Sequence, residues 1–261
     1  MGQGHRVALS GGARMDWDLV IFDCDGVLID SELLSVEADI ACLAEHGIAM
    51  SADDILERYT GISMAGMLAD LEQRHGREFP GFADRHRQRL EELFEAGLRP
   101  IAGIEAALDA LPARSCVASS SRPERLRHAL SLVGLFDRFD RRIFSATQVA
   151  HGKPAPDLFL FAADRLGAAP ARCVVIEDSL PGIEAAVAAG MTAIGFTGGS
   201  HCRPGYAARL YQQGAAAVID SMAELLTALA LAHAQAARIE RPSVAFIESA
   251  PGHVPPNKSS G

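Results

Sequence analysis

The chain of 261 residues has no basic surplus. It carries 24 Lys and Arg against 33 Asp and Glu, a net charge of −9. That deficit argues against a nucleic acid or an anionic membrane surface as partner, because both are bound by cations meeting phosphates. A small anionic ligand needs only a few local cations and stays open. No apolar run is long and uninterrupted enough to span a bilayer. The opening MGQGHRVALSGGAR lacks the apolar stretch of a secretory leader. Cysteine is sparse: five residues (24, 42, 116, 173, 202) with no C-x-x-C pair. Such a dispersed, odd set reads as reduced thiols in a cytoplasmic protein, with Cys42, Cys116 and Cys173 as small buried hydrophobes.

What is present is alternation. Strand-length apolar runs fall at 19–22, 115–119, 142–145, 173–176 and 192–196, with a sixth candidate at 216–219. Helical patterns at 103–111, 123–132, 157–166 and 179–190 lie between them. Strands alternating with helices predict an α/β fold, a parallel sheet covered on both faces. One segment breaks the rule: 31–98 holds helical patterns alone, at 31–46, 52–58, 63–75 and 82–97. In the last, Leu90, Leu93, Phe94 and Gly97 make an apolar face, and D-R-H-R-Q-R (84–89) reads as a solvated one. The expected organisation is a disordered extension (1–15), a core built from 16–30 and 99–235, an inserted helical domain (31–98), and a flexible tail (236–261).

Ligands of open α/β sheets bind beyond the carboxyl ends of the strands. The first strand ends in Asp23-Cys24-Asp25-Gly26, the second in Ser119-Ser120-Ser121-Arg122, and the fourth in Glu177-Asp178-Ser179. After the third comes H-G-K-P-A-P-D, with Lys153. Singly, each group has a plain explanation as a turn, cap or solvated loop residue. Together they put several carboxylates, a lysine and hydroxyls on one rim. Clustered carboxylates stay ionised only around a cation. Oxygen ligands favour a hard ion, Mg²⁺ over zinc, and Mg²⁺ held by one or two carboxylates commonly works with phosphate. A lysine and a hydroxyl suit phosphate oxygens. A carboxylate can be a nucleophile, and a second one two residues on can move protons.

Four segments, in order, resemble the motifs of the haloacid dehalogenase superfamily: F-D-C-D-G-V-L-I-D-S-E, V-A-S-S-S-R, G-K-P-A-P-D and I-E-D-S-L-P-G-I-E-A-A. The resemblance spans about residues 17–200. It implies a Rossmann-like core with strand order 3-2-1-4-5 and a small helical cap inserted after the first strand. It implies Asp23 as nucleophile and Asp25 as general acid and base. Ser119 and Lys153 would bind phosphoryl oxygens, with Ser120, Glu32 and the backbone amides of Cys24 and Asp25 also at the phosphate. Mg²⁺ would be held by Asp23, the Asp25 carbonyl, Glu177 and Asp178.

The branch of the family follows from further residues. Dehalogenases of the superfamily lack the second aspartate, which is present here as Asp25. Phosphonatases use a cap lysine, and 31–49 contains no lysine. A β-phosphoglucomutase would carry a histidine where Ser35 stands and a cap arginine near Met64. The resemblance therefore points to a phosphatase acting on a small phosphorylated metabolite, a sugar or sugar acid, with a phosphomutase as the alternative and a receiver-like phospho-acceptor domain as a remote one. Glu32, Leu33, Ser35, Arg58, Ser63, Met64 and Met67 are the cap candidates to face substrate, each with a place in the helix core or in solvent as its plain alternative. No histidine, His151 included, is given a catalytic role.

Overall fold

The computed structural model describes residues 17–59 and 62–239. The expected extension 1–15 and most of the expected tail lie outside them. Six parallel strands form one sheet in the order β3-β2-β1-β4-β5-β6. They are β1 (Leu19–Phe22), β2 (Arg114–Ser119), β3 (Ile143–Ser145), β4 (Cys173–Glu177), β5 (Thr192–Phe196) and β6 (Ala217–Ile219). The sixth candidate thus adds an edge strand to the expected order. β1 lies at the centre, with Leu19 beside Arg114 on one side and Cys173 on the other.

Alternation along each strand divides the core in two, because successive side chains leave opposite faces of a sheet. Val20 and Phe22 of β1 join Val117, Val174, Ile176 and Ile194 on one face. Leu19 and Ile21 join Cys116, Ala118, Cys173 and Val175 on the other. All four β1 side chains are fully buried, which accounts for its unbroken apolar run. Cys24, Cys42, Cys116 and Cys173 are free and buried, while Cys202 is half-buried.

After β1 come four helices: α1 (Glu32–Glu45), α2 (Ala52–Tyr59), α3 (Met64–His75) and α4 (Phe82–Gly97). They enclose an apolar cluster of their own, including Leu43, Ile55, Met67, Leu71 and Phe82. The two strands of chain joining this block to the sheet run side by side. Asp30 N donates to Arg99 O at 2.9 Å, and Ile101 N to Leu28 O at 3.0 Å. α4 differs from its expected faces. Its buried residues are Phe82, His86, Leu90 and Phe94, at strict four-residue spacing, while Gly97 is exposed. His86 is therefore a correction to the reading of 84–89 as wholly solvated: it falls one turn before Leu90 on the buried stripe.

The remaining helices are α5 (Ile104–Ala110), α6 (Pro123–Leu132), α7 (Phe136–Phe139), α8 (Asp157–Arg165), α9 (Leu180–Ala188), α10 (Tyr206–Gln213) and α11 (Leu225–Ile239). α7, α10 and α11 were not among the expected helices. α11 runs four residues into the segment expected to be a tail, and Leu229 O accepts a 3.0 Å hydrogen bond from Trp17 Nε1 just before β1. No helix among the described residues is long and apolar enough to cross a membrane.

Candidate active site

The carboxyl ends of β1, β2 and β4 and the loop before α8 converge on one cavity of about 860 Å³, whose far wall is the helical block. Asp23, Asp25, Glu32, Ser119, Ser120, Lys153, Glu177 and Asp178 all line it. Of the other expected cap positions, Ser35, Ser63, Met64 and Met67 line it too. Leu33 and Arg58 do not and are exposed, so for these two candidates the solvent alternative holds: they sit on the outer sides of α1 and α2. Cys24 is fully buried beneath the rim, and burial followed by repulsion from Asp25 and Asp23 pushes its thiol pKa well up. Its sulfur is inert packing between two carboxylates.

Lys153 organises the floor. Its Nζ lies 2.7 Å from Asp23 Oδ1 and also donates to Glu177 Oε1. The lysine side chain is 3% exposed. Glu177 is held in turn by Ser179, whose N and Oγ donate to Oε2 at 2.9 Å. Burial works against the lysine's charge, but the two carboxylates outweigh it and raise its pKa. Asp23 goes the other way. Burial, then Glu177, Asp178 and Asp25, push its pKa well above the usual range despite Lys153. One lysine does not neutralise this group of acids.

Asp25 is set apart by its hydrogen bonds. Ser31 Oγ and Arg125 Nη2 each donate to Oδ1 at 2.7 Å, and Ser121 Oγ donates to Oδ2 at 2.7 Å. Burial alone would raise this pKa; the Arg125 guanidinium and the two hydroxyls overcome it and hold Asp25 below the ordinary carboxylate range. Held so, Asp25 is an ionised proton acceptor. The Arg125 guanidinium also lies 5.4 Å from the ring centroid of Phe94 on α4, so the core arginine touches the block above it. Ser119, buried at the end of β2, accepts from Ser121 N at 3.1 Å, which fixes its hydroxyl at the rim.

Two residues here escaped the sequence reading. Arg125 sits one turn into α6, beyond the strand end that marked its motif. His201 follows β5, and its Nε2 lies 3.0 Å from Asp178 Oδ2. Burial opposes the imidazolium, but the bonds to Asp178 and to Cys202 lift its pKa to about 11. The loop after β5 was the remaining strand end next to the site, so the strand-end rule extended by one strand would have reached it. His151, by contrast, is exposed and pairs with Asp157 at 3.1 Å.

Glycine explains how the acids come so close. Gly26 has φ of +76°, and a Cβ there would stand 1.9 Å from Asp178 Oδ2. A Cβ on Gly182 would meet the Glu177 carboxylate at 1.9–2.3 Å. Asp23, Glu177 and Asp178 each present a carboxylate oxygen within 4.8 Å of the others, all three residues buried. Oxygen donors at that spacing, with the pKa values of Asp23 and Asp178 raised first by burial, fit a hard divalent cation.

The family model for haloacid dehalogenase-like hydrolases matches residues 17–190. The chain belongs to that family. Among curated relatives, 6-phosphogluconate phosphatase of Escherichia coli is 28% identical over 189 residues, 72% of this chain and 86% of its own. Hexitol phosphatase B of the same species is 32% identical over 181 residues, 67% and 81% of the two chains. Among solved structures, a haloacid dehalogenase-like protein of unknown function from Agrobacterium tumefaciens superposes with a TM-score of 0.74 at 38% identity, covering 82% of this chain and 98% of its own. The match to the family model includes β1, the helical block, β2 and β4, and so every residue placed at the rim except His201.

Proposed function

We propose that this haloacid dehalogenase-like hydrolase is a Mg²⁺-dependent phosphatase of small phosphorylated metabolites. The observation that carries this is the buried group Asp23, Glu177 and Asp178 around Lys153, on the floor of a cavity roofed by helices. The phosphatases among its relatives support it. Asp23, the Asp25 carbonyl, Glu177 and Asp178 would hold the metal, whose contribution is positive charge beside the phosphoryl oxygens.

The protein's own groups supply the rest. A carboxylate oxygen of Asp23 attacks phosphorus, and the ester P–O bond breaks to give an aspartyl-phosphate. Asp25, once it leaves the grip of Arg125 and takes up a proton from solvent, gives that proton to the departing alkoxide oxygen. Water then attacks the aspartyl-phosphate, its proton passes to Asp25, and inorganic phosphate is released with Asp23 restored. Arg125, Ser31 and Ser121, which favour ionised Asp25, suit this second step. Lys153 and Ser119 hold phosphoryl oxygens, and the helical cap limits water to the one that reacts. Ser35 and Met64 line the cavity without charge, which favours hydrolysis over a mutase that must also grip a second phosphate.

The test is hydrolysis of p-nitrophenyl phosphate with Mg²⁺ by wild type and Asp23→Asn. Loss of a nucleophile should lower kcat at least ~10³-fold. A mutant that keeps wild-type turnover overturns the assignment.

A further inference from the structure

His201, in the loop after β5, does not line the cavity. Its Nε2 meets Asp178 Oδ2 at 3.0 Å, and the Cys202 thiol lies 3.4 Å from the same nitrogen. His201 is 4% exposed and Asp178 3%. Neither step of the hydrolysis uses the imidazole, and the residue falls beyond those matched by the family model. A histidine buried against one of the three clustered acids, with no part in the bond changes, points to a role exercised through that acid.

The ring is closely held. A Cβ on Gly199 would stand 2.8 Å from both Nδ1 and Cε1, and one on Gly26 would stand 3.0 Å from Cε1. The imidazole therefore fills a slot that two glycines leave open, and Gly26 leaves room for Asp178 Oδ2 in the same place. The backbone is pinned on both sides of the ring. Ser200 N and Oγ donate to Asp30 Oδ1 at 3.0 and 2.7 Å, and Cys202 N donates to Gly199 O at 3.1 Å. Nδ1 is buried without a hydrogen-bond partner among the described residues, which costs stability. The ring is thus committed to Asp178 although its other nitrogen goes unmatched. Holding Oδ2 fixes the carboxylate plane, and with it the direction of Oδ1. The bond needs only a proton on Nε2, which the neutral ring also carries.

Resting on the reading of Asp23, Glu177 and Asp178 as a Mg²⁺ site, we infer that His201 is a positioning residue: from the slot between Gly26 and Gly199 it holds Asp178 Oδ2 and so aims the carboxylate at the cation. Hydrogen-bonded partners of ligating groups set metal affinity by about 10- to 100-fold. A charge beside Asp178 would act in the opposite direction, since it repels Mg²⁺ and its removal tightens binding. The sign of the change on removing the ring separates the two roles.

The experiment measures the Mg²⁺ dissociation constant by titration calorimetry for wild type, His201→Leu, His201→Gln and Gly199→Ala, with Tm in chelator recorded for each. His201→Leu removes the donor and should weaken Mg²⁺ binding ~10-fold or more. His201→Gln keeps an N–H near the place of Nε2 and should recover most of that loss. Gly199 lies outside the left-handed region, so Gly199→Ala leaves the backbone and every polar group in place while its Cβ displaces the ring; it should also weaken binding ~10-fold. A residue that only fills space would lower Tm in chelator and leave the Mg²⁺ constant alone. An unchanged constant in His201→Leu overturns the inference. So does tighter binding, and so does equal weakening in His201→Leu and His201→Gln. If His201→Leu does not fold, Gly199→Ala must bind Mg²⁺ ~10-fold more weakly than His201→Gln, and any other result overturns it. Wild type that binds Mg²⁺ no better than the variants defeats this inference only. Folded wild type that binds no Mg²⁺ defeats the metal reading and this one with it.

Discussion

Glu32 opens α1 at the cavity, half-buried, and burial followed by the charges of Asp178 and Asp25 lifts its pKa from 4.5 to about 7. The folded chain therefore keeps a proton that the unfolded chain gives up near 4.5. Stability falls as pH rises from about 4.5 to about 7, because ionised Glu32 is disfavoured only in the fold. Replacing it with Gln removes the penalty. Glu32→Gln should match wild type near pH 4.5 and exceed it above pH 7 by on the order of 2 kcal/mol once partial exposure is allowed for. Urea unfolding across that window, with chelator present, checks it; a pH-independent difference would refute the linkage. At this scale the sequence was informative where chemistry follows a buried run. Asp23, Asp25, Glu177 and Asp178 stand at strand ends, and Lys153 in the loop after β3. Arg125, Asp39 and His86 were not legible, and His201 only by carrying the strand-end rule on to β5. Each acquires its meaning from a partner between 23 and 100 residues away in the chain, and no local pattern encodes that pairing.

The turn after β1 is the element on which the acids depend. In D-C-D-G, Gly26 reverses the chain with a left-handed backbone, and its missing side chain admits Asp178. Gly26→Ala should cost at least about 3 kcal/mol, from positive φ and from a carboxylate forced out of place. Gly47→Ala separates the two causes. Gly47 also has positive φ, +73°, but a Cβ there would meet nothing within 4 Å. It should lose only about 1 kcal/mol, from the backbone alone. Thermal unfolding of both variants gives the contrast, and equal losses would show that Asp178 does not depend on the glycine. Elements formed by period and capping were legible before the structure: five strands, their helices, and the four-helix insertion. Those missed have weaker signatures. α7 is four residues long and α10 eight, and in α11 the many alanines give an apolar stripe without strong contrast.

For the whole molecule, folding brings Asp23 together with Glu177 and Asp178, 154 and 155 residues further along the chain, against one lysine and one histidine. The chain as a whole carries no cationic excess to offset them, its net charge being −9. A divalent ion that binds only the assembled cluster must then stabilise the fold by mass action, by about 2.7 kcal/mol at 100 times its Kd. For a chain of this size that amounts to a rise in Tm of ~5–10 °C between chelator and saturating Mg²⁺. Burial raises the pKa of both Asp23 and Asp178, so protons compete with the metal, and the Mg²⁺ increment should shrink as pH falls. Asp178→Asn should abolish most of it while leaving the helical block intact, whose apolar cluster includes none of these acids. A Tm in wild type that does not respond to Mg²⁺ at any pH would remove the cation from the site. Hydrolysis would then have to rely on Lys153, His201 and Arg125 for its positive charge.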